Sequence, residues 1–255
     1  MILCGLLTAC SALATPVMTE TPPPATPLPS PSATIAWFPP STTPSPQVFA
    51  TYTATPEMRP SLGPVLLQDD FSVESEGLWD TATSDQGSAS IDRNRLTLAV
   101  QAGVYLISLH HDLAANNFYA EITARLSLCR GDDDYGLLVR ANAVAYYRFA
   151  LSCNGTARAE RISVNTRQPL QDPIASGDAP PGAPGEVRIG VWAVGAEMRL
   201  FLNGRYQFSI HDSNYRTGTI GVFAHSAGDT PVTINFSDFM LQEVTYSPPT
   251  RTPMP

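Results

Sequence analysis

Apolar and polar residues alternate along most of the chain between residues 65 and 246, and this alternation predicts β-strands. The longest example runs over Phe118–Leu128, where every second residue is apolar and the residues between them are mostly polar. About a dozen such segments follow one another without a credible helix, separated by turn signals such as Asn154-Gly155 and Asn203-Gly204. These strands must form two packed sheets to bury their apolar faces, so the pattern predicts an all-β antiparallel sandwich.

Proline marks the segments on either side of this strand-rich region. Of the 24 prolines, 14 lie between Pro16 and Pro64, among Thr, Ser and Ala residues. Because each proline fixes φ and removes a backbone donor, this stretch favours an extended polyproline conformation over a sheet or a long helix. We therefore predict a disordered linker over residues 11–64, a β-sandwich domain over residues 65–246 and a disordered tail over residues 247–255.

The first ten residues resemble a bacterial export signal. They are apolar and uncharged, and they end in Leu7-Thr8-Ala9-Cys10, which is similar to the lipobox of bacterial lipoproteins. In that family the cysteine thiol receives a diacylglyceryl group, and the bond before the cysteine is cut. The resemblance implies a signal peptide and lipobox over residues 1–10, lipidation of Cys10, and a β-domain held outside the cytoplasm by an acyl anchor in the lipid bilayer. A plain leader that is cut elsewhere is the alternative.

The charge and hydropathy of the chain exclude several classes of function. The 15 basic residues are all arginine, and with 23 acidic residues they give a net charge of −8. This balance argues against a polyanionic partner such as nucleic acid. No apolar run approaches the ~18 residues of a transmembrane helix.

Several strand and turn motifs resemble a known family. They are Asp69-Asp70-Phe71-Ser72 with Trp79, Tyr135–Arg140, Tyr146–Phe149, Asn154-Gly155, Val187–Trp192, Leu200–Gly204, Gly218–Phe223 and Ile234–Phe239. Together they are similar to the concanavalin A-like lectin/glucanase jelly roll, in the branch near the 3-keto-disaccharide hydrolase domains. The resemblance covers residues 65–244 and implies a two-sheet jelly roll with a groove along its concave sheet.

A groove of this kind predicts a carbohydrate-binding face, because aromatic rings stack on sugars and charged groups form hydrogen bonds with them. From strand alternation and the resemblance, the candidate residues are Trp192, Arg140, Tyr147 and Glu121. We predict a surface module that binds an extracellular glycan or cell-wall polymer without hydrolysing it. One alternative is an adhesive or scaffold domain that contacts protein or cell wall. The other is a hydrolase or lyase of 3-keto-disaccharides or related glycosides.

The sequence shows no catalytic constellation. Glycosidases of the resembled fold carry alternating acidic residues on one strand, because two carboxylates must flank the scissile bond with one of them protonated. No strand here has that pattern, and single acids such as Glu160 are expected to face solvent or pair with arginine. The four histidines lack the spacing of a zinc site. We therefore expect no catalytic residue, no metal ligand and no cofactor.

One acidic run leaves two interpretations open. Asp132-Asp133-Asp134 lies between two predicted strands, where consecutive side chains diverge. A solvated turn is the first interpretation, and a loop that binds a structural calcium ion is the second.

Cysteine usage predicts a disulfide. If Cys4 is removed with the leader and Cys10 is lipidated, the mature domain keeps Cys129 and Cys153, an even pair in an exported protein. We expect both cysteines at one edge of a single sheet, on strands two apart, so the bridge requires the strand ends to splay over the Arg130–Asp134 loop. Two free thiols are the alternative.

The anchoring prediction is tested by Cys10→Ala. This change should release the protein from membranes into the medium, or leave an uncleaved precursor, because the acylated thiol is lost. Cys4→Ala, which lies inside the predicted leader, is the matched control and should leave fractionation as in the wild type. Unchanged membrane fractionation of Cys10→Ala would contradict lipidation at this residue.

Overall fold

The structure is a computed structural model that describes residues 57–75 and 77–245. Over these residues the chain forms fifteen strands and one short 3₁₀ helix, and no helix there is long and apolar enough to cross a membrane. The predicted all-β antiparallel sandwich is confirmed. The predicted signal peptide, Cys10, the linker up to residue 56 and the tail over residues 247–255 lie outside the described residues.

The strands, in chain order, are β1 Leu62–Asp69, β2 Ala82–Ser84, β3 Gly87–Ile91, β4 Leu96–Val100, β5 Tyr105–Leu109, β6 Phe118–Leu128, β7 Asp134–Ala141, β8 Tyr146–Ser152, β9 Thr156–Ser163, β10 Thr166–Ala175, β11 Gly185–Val194, β12 Glu197–Leu202, β13 Arg205–His211, β14 Thr219–His225 and β15 Val232–Val244. The 3₁₀ helix spans Val73–Ser75.

The strands of the described chain form a nine-stranded and a six-stranded sheet. The larger sheet has the order β13-β12-β11-β6-β15-β4-β3-β2, and β1 joins it by pairing with β15. The long strand β15 pairs with β4 through its first half and with β1 through its second half, while β6 runs along its other edge. The smaller sheet has the order β10-β9-β8-β7-β14-β5.

The hydrophobic core lies between the two sheets. Each strand turns every second residue inward, so Ile122 of β6 and Val191 of β11 meet Leu137 of β7 and Phe149 of β8 in one buried cluster. The residues between these positions form the two outer faces of the sandwich. A one-residue error in the alternation therefore moves a side chain from the core to an outer face.

The folded chain begins before the predicted boundary at residue 65. Strand β1 starts at Leu62 and includes Pro64, so it overlaps the end of the predicted linker. Proline is compatible with a strand at the edge of a sheet, where its missing N–H breaks no ladder. Upstream of β1, residues 58–60 also contact the outer face of the nine-stranded sheet.

The Asp69–Trp79 motif fastens the loop after β1 to the sandwich. Oδ1 of the buried Asp69 accepts hydrogen bonds from the Phe71 backbone N–H at 2.7 Å and the Ser75 hydroxyl at 2.5 Å. Its Oδ2 accepts one from the Trp79 indole at 2.8 Å. The motif that suggested the family resemblance therefore has a structural role here.

The predicted disulfide between Cys129 and Cys153 is confirmed, with a Cα–Cα distance of 5.8 Å. The expected position within one sheet is wrong. Cys129 follows β6 of the nine-stranded sheet, whereas Cys153 follows β8 of the six-stranded sheet. The bridge therefore ties the two sheets together at one end of the sandwich, where the chain between β6 and β7 crosses from one sheet to the other.

Removing this bridge should destabilise the domain. Closing a loop over a separation of 24 residues restricts the unfolded chain, so the double change Cys129→Ala and Cys153→Ala should lower the free energy of unfolding by about 3 kcal/mol. Urea denaturation measures this loss. Reductant should produce a similar loss in the wild type and none in the double variant, whereas equal stability of the two oxidised proteins would contradict a constraining bridge.

Candidate functional site

A row of charged side chains crosses the outer face of the six-stranded sheet. Strand alternation places these residues on the side that points away from the core, and they come from five different strands. We call them the charged face: Asp134 of β7, Arg148 of β8, Arg158 and Glu160 of β9, Arg167 of β10 and His225 of β14.

The strand register brings these residues together. Asp134 lies opposite His225 on one neighbouring strand and opposite Ser152 on the other. Arg148 lies opposite Glu160. Residues directly opposite in an antiparallel pair present their side chains on the same face at close range, so the charges lie next to one another across the sheet.

Glu160 is the centre of an ion-pair network. Its carboxylate accepts hydrogen bonds from Arg148 Nε at 2.7 Å and Arg167 Nε at 2.7 Å, and Arg158 Nε lies 3.2 Å away. Arg158 also forms an ion pair with Asp134, so it links the two carboxylates. The side chains of Glu160 and Asp134 are only 3% and 5% exposed. Their charges are therefore held by guanidinium groups and largely shielded from water.

Both carboxyl groups favour the ionised form. Burial raises the pKa of Glu160, but the charge of Arg148 and hydrogen bonds with Arg167 and Arg148 outweigh it, and the pKa is lowered. Burial also raises the pKa of Asp134, and the interactions with His225 and Arg158 again lower it overall. At neutral pH both Asp134 and Glu160 are therefore carboxylates, and neither is a protonated acid.

A cavity of about 430 Å³ opens beside the network. Asp134, Arg158, Glu160, Arg167 and His225 line it, together with Asp132, Ser152, Asn154, Thr156, Pro169, Gln171, Asp172, Pro173 and Ala227. A larger depression of about 570 Å³ lies beside β2 and β3, but its described lining residues are all uncharged. The cavity at the charged face is therefore the better candidate for specific recognition.

Two buried polar atoms of the charged face lack hydrogen-bond partners among the described residues. They are Oδ1 of Asp134 and Nδ1 of His225, which lie 3.6 Å apart, beyond hydrogen-bond distance. Both atoms are closed off from solvent, so they face each other rather than the cavity.

Aromatic rings pack next to the network. The Arg148 guanidinium lies 5.5 Å from the ring centre of Tyr105 and 5.4 Å from that of Phe223. The Tyr105 hydroxyl is 3.3 Å from that of Tyr146. Burial and this hydrogen bond raise the pKa of Tyr105. The charged face thus combines cations, carboxylates and aromatic rings on one sheet.

No protein-family model and no curated protein matches the chain. Among solved structures, the carbohydrate-binding module CBM66 from Bacillus subtilis is similar, with a TM-score of 0.52 and 14% identity over 65% of this chain and 96% of the other. A Bacillus subtilis protein of unknown function with a galectin-like fold has a TM-score of 0.54 and 13% identity, over 73% of this chain and 99% of the other. The catalytic domain of an endo-1,3-β-glucanase from Thermotoga petrophila has a TM-score of 0.53 and 8% identity, over 73% of this chain and 100% of the other. The fold is a concanavalin A-like jelly roll. At these identities the comparison shows the fold alone.

Arg140, a predicted carbohydrate contact, is buried in this jelly roll and organises loops instead. Its guanidinium donates to the backbone carbonyls of Gly195 at 2.8 Å, Tyr215 at 3.1 Å and Asn116 at 3.0 Å. Burial lowers the pKa of Arg140. The side chain holds three connections together at one end of the jelly roll, away from the charged face.

Tyr147, the second predicted contact, points into the interior. It is fully buried, and its hydroxyl donates to Asp212 Oδ1 at 2.6 Å. Burial and this hydrogen bond raise its pKa to about 12. The prediction placed the wrong residue of β8 outward, since the neighbouring Arg148 occupies the outer face.

Trp192 and Glu121 lie on the outer face of the nine-stranded sheet, on the opposite side of the jelly roll from the charged face. Trp192 is nevertheless fully buried: its indole donates to the Pro60 carbonyl at 3.2 Å, and the Arg199 guanidinium lies 4.5 Å from its ring centre. Glu121 accepts a hydrogen bond from Tyr119 at 2.5 Å. The four predicted contacts are therefore not brought together at one site.

The acidic run is not a solvated turn. Asp133 and Asp134 are buried, and the Asp133 carboxylate accepts backbone hydrogen bonds from Arg130 at 3.1 Å and Ala227 at 3.0 Å. Asp132 instead accepts one from Asn154 at 2.9 Å. Across residues 57–75 and 77–245, no group of three or more His, Cys, Asp and Glu side chains is placed to hold a metal ion.

Sequence reasoning missed most of the charged face. One signal was present in Arg158-Ala159-Glu160, where charged residues alternate with a small residue that faces the core. This spacing puts both charges on the same outer face of β9. The partners Arg148 and His225 are distant in sequence, so their place in the network depends on the strand order.

Acid should unfold the domain through this network. Unfolded carboxyl groups have pKa values near ~4, and those of Asp134 and Glu160 are lower in the folded state. The unfolded chain therefore binds more protons as the pH falls, so this contribution to stability is complete above the unfolded pKa values and is lost as pH falls through the folded ones. Urea denaturation should show a free energy of unfolding that declines below about pH 4.

Two variants locate the source of this acid sensitivity. Glu160→Gln should make the decline shallower, because the variant lacks one carboxyl group whose pKa differs between the folded and unfolded states. Glu186→Gln breaks an exposed pair with Arg125 and should keep the wild-type profile. A wild-type stability that stays constant well below about pH 4 would contradict the network's role.

Proposed function

We propose that this domain binds extracellular carbohydrate in the cavity of the charged face and does not hydrolyse it. One observation carries the proposal: a cavity on one sheet face is lined by carboxylates, ion-paired arginines and neutral polar side chains such as Asn154 and Gln171. Sugar hydroxyl groups both donate and accept hydrogen bonds, so they match this mixture of acceptors and donors.

The similar solved structures support the same class of ligand. One is named as a carbohydrate-binding module and another as the catalytic domain of an endo-1,3-β-glucanase. Binding sites on such sheet faces combine polar groups that orient a ligand with rings that pack against it. Tyr105 is not among the residues that line the cavity, but its ring packs against that of His225, which is.

The state of the carboxyl groups favours binding over hydrolysis. A glycosidase requires a protonated acid near a second carboxylate that acts as base or nucleophile. In the charged face both Asp134 and Glu160 have lowered pKa values, and both are held by guanidinium groups. Neither is suited to donate a proton to a leaving group at neutral pH.

We further propose that the protein is exported and held at the membrane through Cys10. The disulfide between Cys129 and Cys153 supports export, because such bonds persist mainly in oxidising compartments outside the cytoplasm. The proline-rich sequence before residue 57 is suited to act as a spacer between a lipid anchor and the domain.

Two arginine variants test the binding site. Arg167 and Arg125 each pair with a glutamate and are 59% and 56% exposed, but they lie on opposite sheets. We expect Arg167→Ala to weaken binding of neutral oligosaccharides roughly tenfold from a dissociation constant near ~10⁻⁴ M, because a charge-assisted hydrogen bond is lost. Arg125→Ala should bind like the wild type. Isothermal titration calorimetry with a panel of glucan, galactan, mannan and fructan oligosaccharides makes the measurement.

Either of two results would contradict this proposal. Equal weakening by Arg167→Ala and Arg125→Ala would place the site away from the charged face. Release of reducing sugar by the purified wild-type protein would show hydrolysis.

A further inference from the structure

We infer that residues 57–60 form a strap that closes an aromatic surface on the nine-stranded sheet, and that this surface, once open, joins a second copy of the domain. The aromatic surface consists of Tyr119, Trp192, Phe201 and Val244, which pack together on the outer face. The inference does not depend on carbohydrate binding, because the charged face lies on the other sheet. Three features support it: the burial of the rings, the attachment of the strap and the charges beside the rings.

The rings of the aromatic surface are buried although they lie outside the sandwich. Trp192 of β11 is directly opposite Tyr119 of β6, and Phe201 lies on the next strand, β12. All three side chains are at most 2% exposed, although this face points away from the other sheet. Residues on such an outer face normally contact solvent unless another part of the chain covers them.

One side chain of the strap lies over two of the rings. The Arg59 guanidinium is 5.4 Å from the ring centre of Tyr119 and 5.3 Å from that of Phe201. A guanidinium is attracted to the face of an aromatic ring, so Arg59 holds the strap at this position. A negative charge at residue 59 would reverse the attraction, because the ring face is the negative part of the aromatic quadrupole.

The rest of the attachment is slight. The Pro60 carbonyl accepts a hydrogen bond from the Trp192 indole at 3.2 Å, and the Met58 carbonyl accepts one from Arg199 at 2.7 Å. The strap belongs to no strand, and a cavity of about 460 Å³ lies between it and the β12–β13 turn. Ser61, which joins the strap to β1, has a φ of 61°, a conformation that serine rarely adopts. The strap can therefore leave the sheet without breaking a strand ladder.

The rings are held in place by contacts that do not involve the strap. Tyr119 donates a hydrogen bond to Glu121 at 2.5 Å. The Arg199 guanidinium lies 4.5 Å from the Trp192 ring centre, and its Nε donates to Glu197 at 2.8 Å. Release of the strap would thus expose an aromatic surface that is already formed. Large exposed apolar patches are typical of association sites.

The charges beside the rings fit a second copy of the domain. Glu121 lies 3.5 Å from Arg188, and Glu197 pairs with Arg199, so acidic and basic groups alternate next to the rings. In a two-fold interface both copies present the same patch, and a patch with both signs can place its acids against the arginines of its partner. Aromatic residues and arginine are also enriched in protein interfaces. A second copy therefore matches the open surface in charge and in residue type.

A charge reversal in the strap tests the inference on the full chain. Arg59→Asp places an acid over two ring faces, so it should release the strap and leave the aromatic surface unaltered. Sedimentation equilibrium should give a dimer dissociation constant at least tenfold lower than in the wild type. In dilute monomer, the Trp192 indole hydrogen should exchange with solvent faster. All proteins carry Cys10→Ala, so that acylation does not contribute to association.

Two further variants provide the control and locate the interface. Arg93→Asp makes the same charge change at an arginine that is 88% exposed and pairs with Asp92, and it should behave like the wild type. Adding Phe201→Ser to Arg59→Asp should restore the wild-type dissociation constant, because one ring of the surface is lost. Thermal unfolding checks that each variant is folded.

Several results would overturn the inference, and none of them bears on the charged face. Unchanged indole exchange in Arg59→Asp would show that the strap does not close the surface. Faster exchange without tighter association would show that no second copy joins it. A dimer that persists with Phe201→Ser would have its interface elsewhere. An Arg59→Asp monomer whose Trp192 indole signal shifts with added oligosaccharide would assign the open surface to a sugar.

Discussion

The ion-pair network centred on Glu160 is the constraint on which the outer face of the six-stranded sheet depends. A carboxylate that is almost fully buried contacts three guanidinium groups from three strands, and Arg158 extends the network to Asp134. Such a network adds little net stability over an apolar cluster, but the loss of one partner leaves an uncompensated charge. We propose that the role of the network is to present charged groups in fixed positions to a ligand.

The two outer faces of the jelly roll differ in how they are covered. On the nine-stranded sheet, Trp192 and Tyr119 lie beneath residues 58–60, and the Arg59 guanidinium sits 5.4 Å from the Tyr119 ring centre. On the six-stranded sheet, a cavity remains beside the network. Trp192 and Tyr119 therefore serve packing on one face, while charged residues define the candidate site on the other.

Local patterns predicted the fold but not the site. Two predictions required no knowledge of strand order, and both are confirmed. They are the strand over Phe118–Leu128 and the disulfide between Cys129 and Cys153. The side chains that meet at the site depend on which sheet each strand joins. Strand β6 belongs to the nine-stranded sheet, whereas β7 and β8, which follow it in the chain, belong to the six-stranded sheet. The order of strands along the sequence does not reveal this crossover. The interior position of Tyr147 follows from the alternation within β8, which it shares with the core residues Phe149 and Leu151.

The most direct test of the account is to map side-chain NMR signals during titration with a neutral oligosaccharide. The Nε–H signals of Arg158 and Arg167 and the ring signals of His225 should shift with a common binding curve, while the Trp192 indole signal stays in place. A binding curve reported by the Trp192 indole, with the arginine and His225 signals unmoved, would contradict the account and place carbohydrate binding on the nine-stranded sheet.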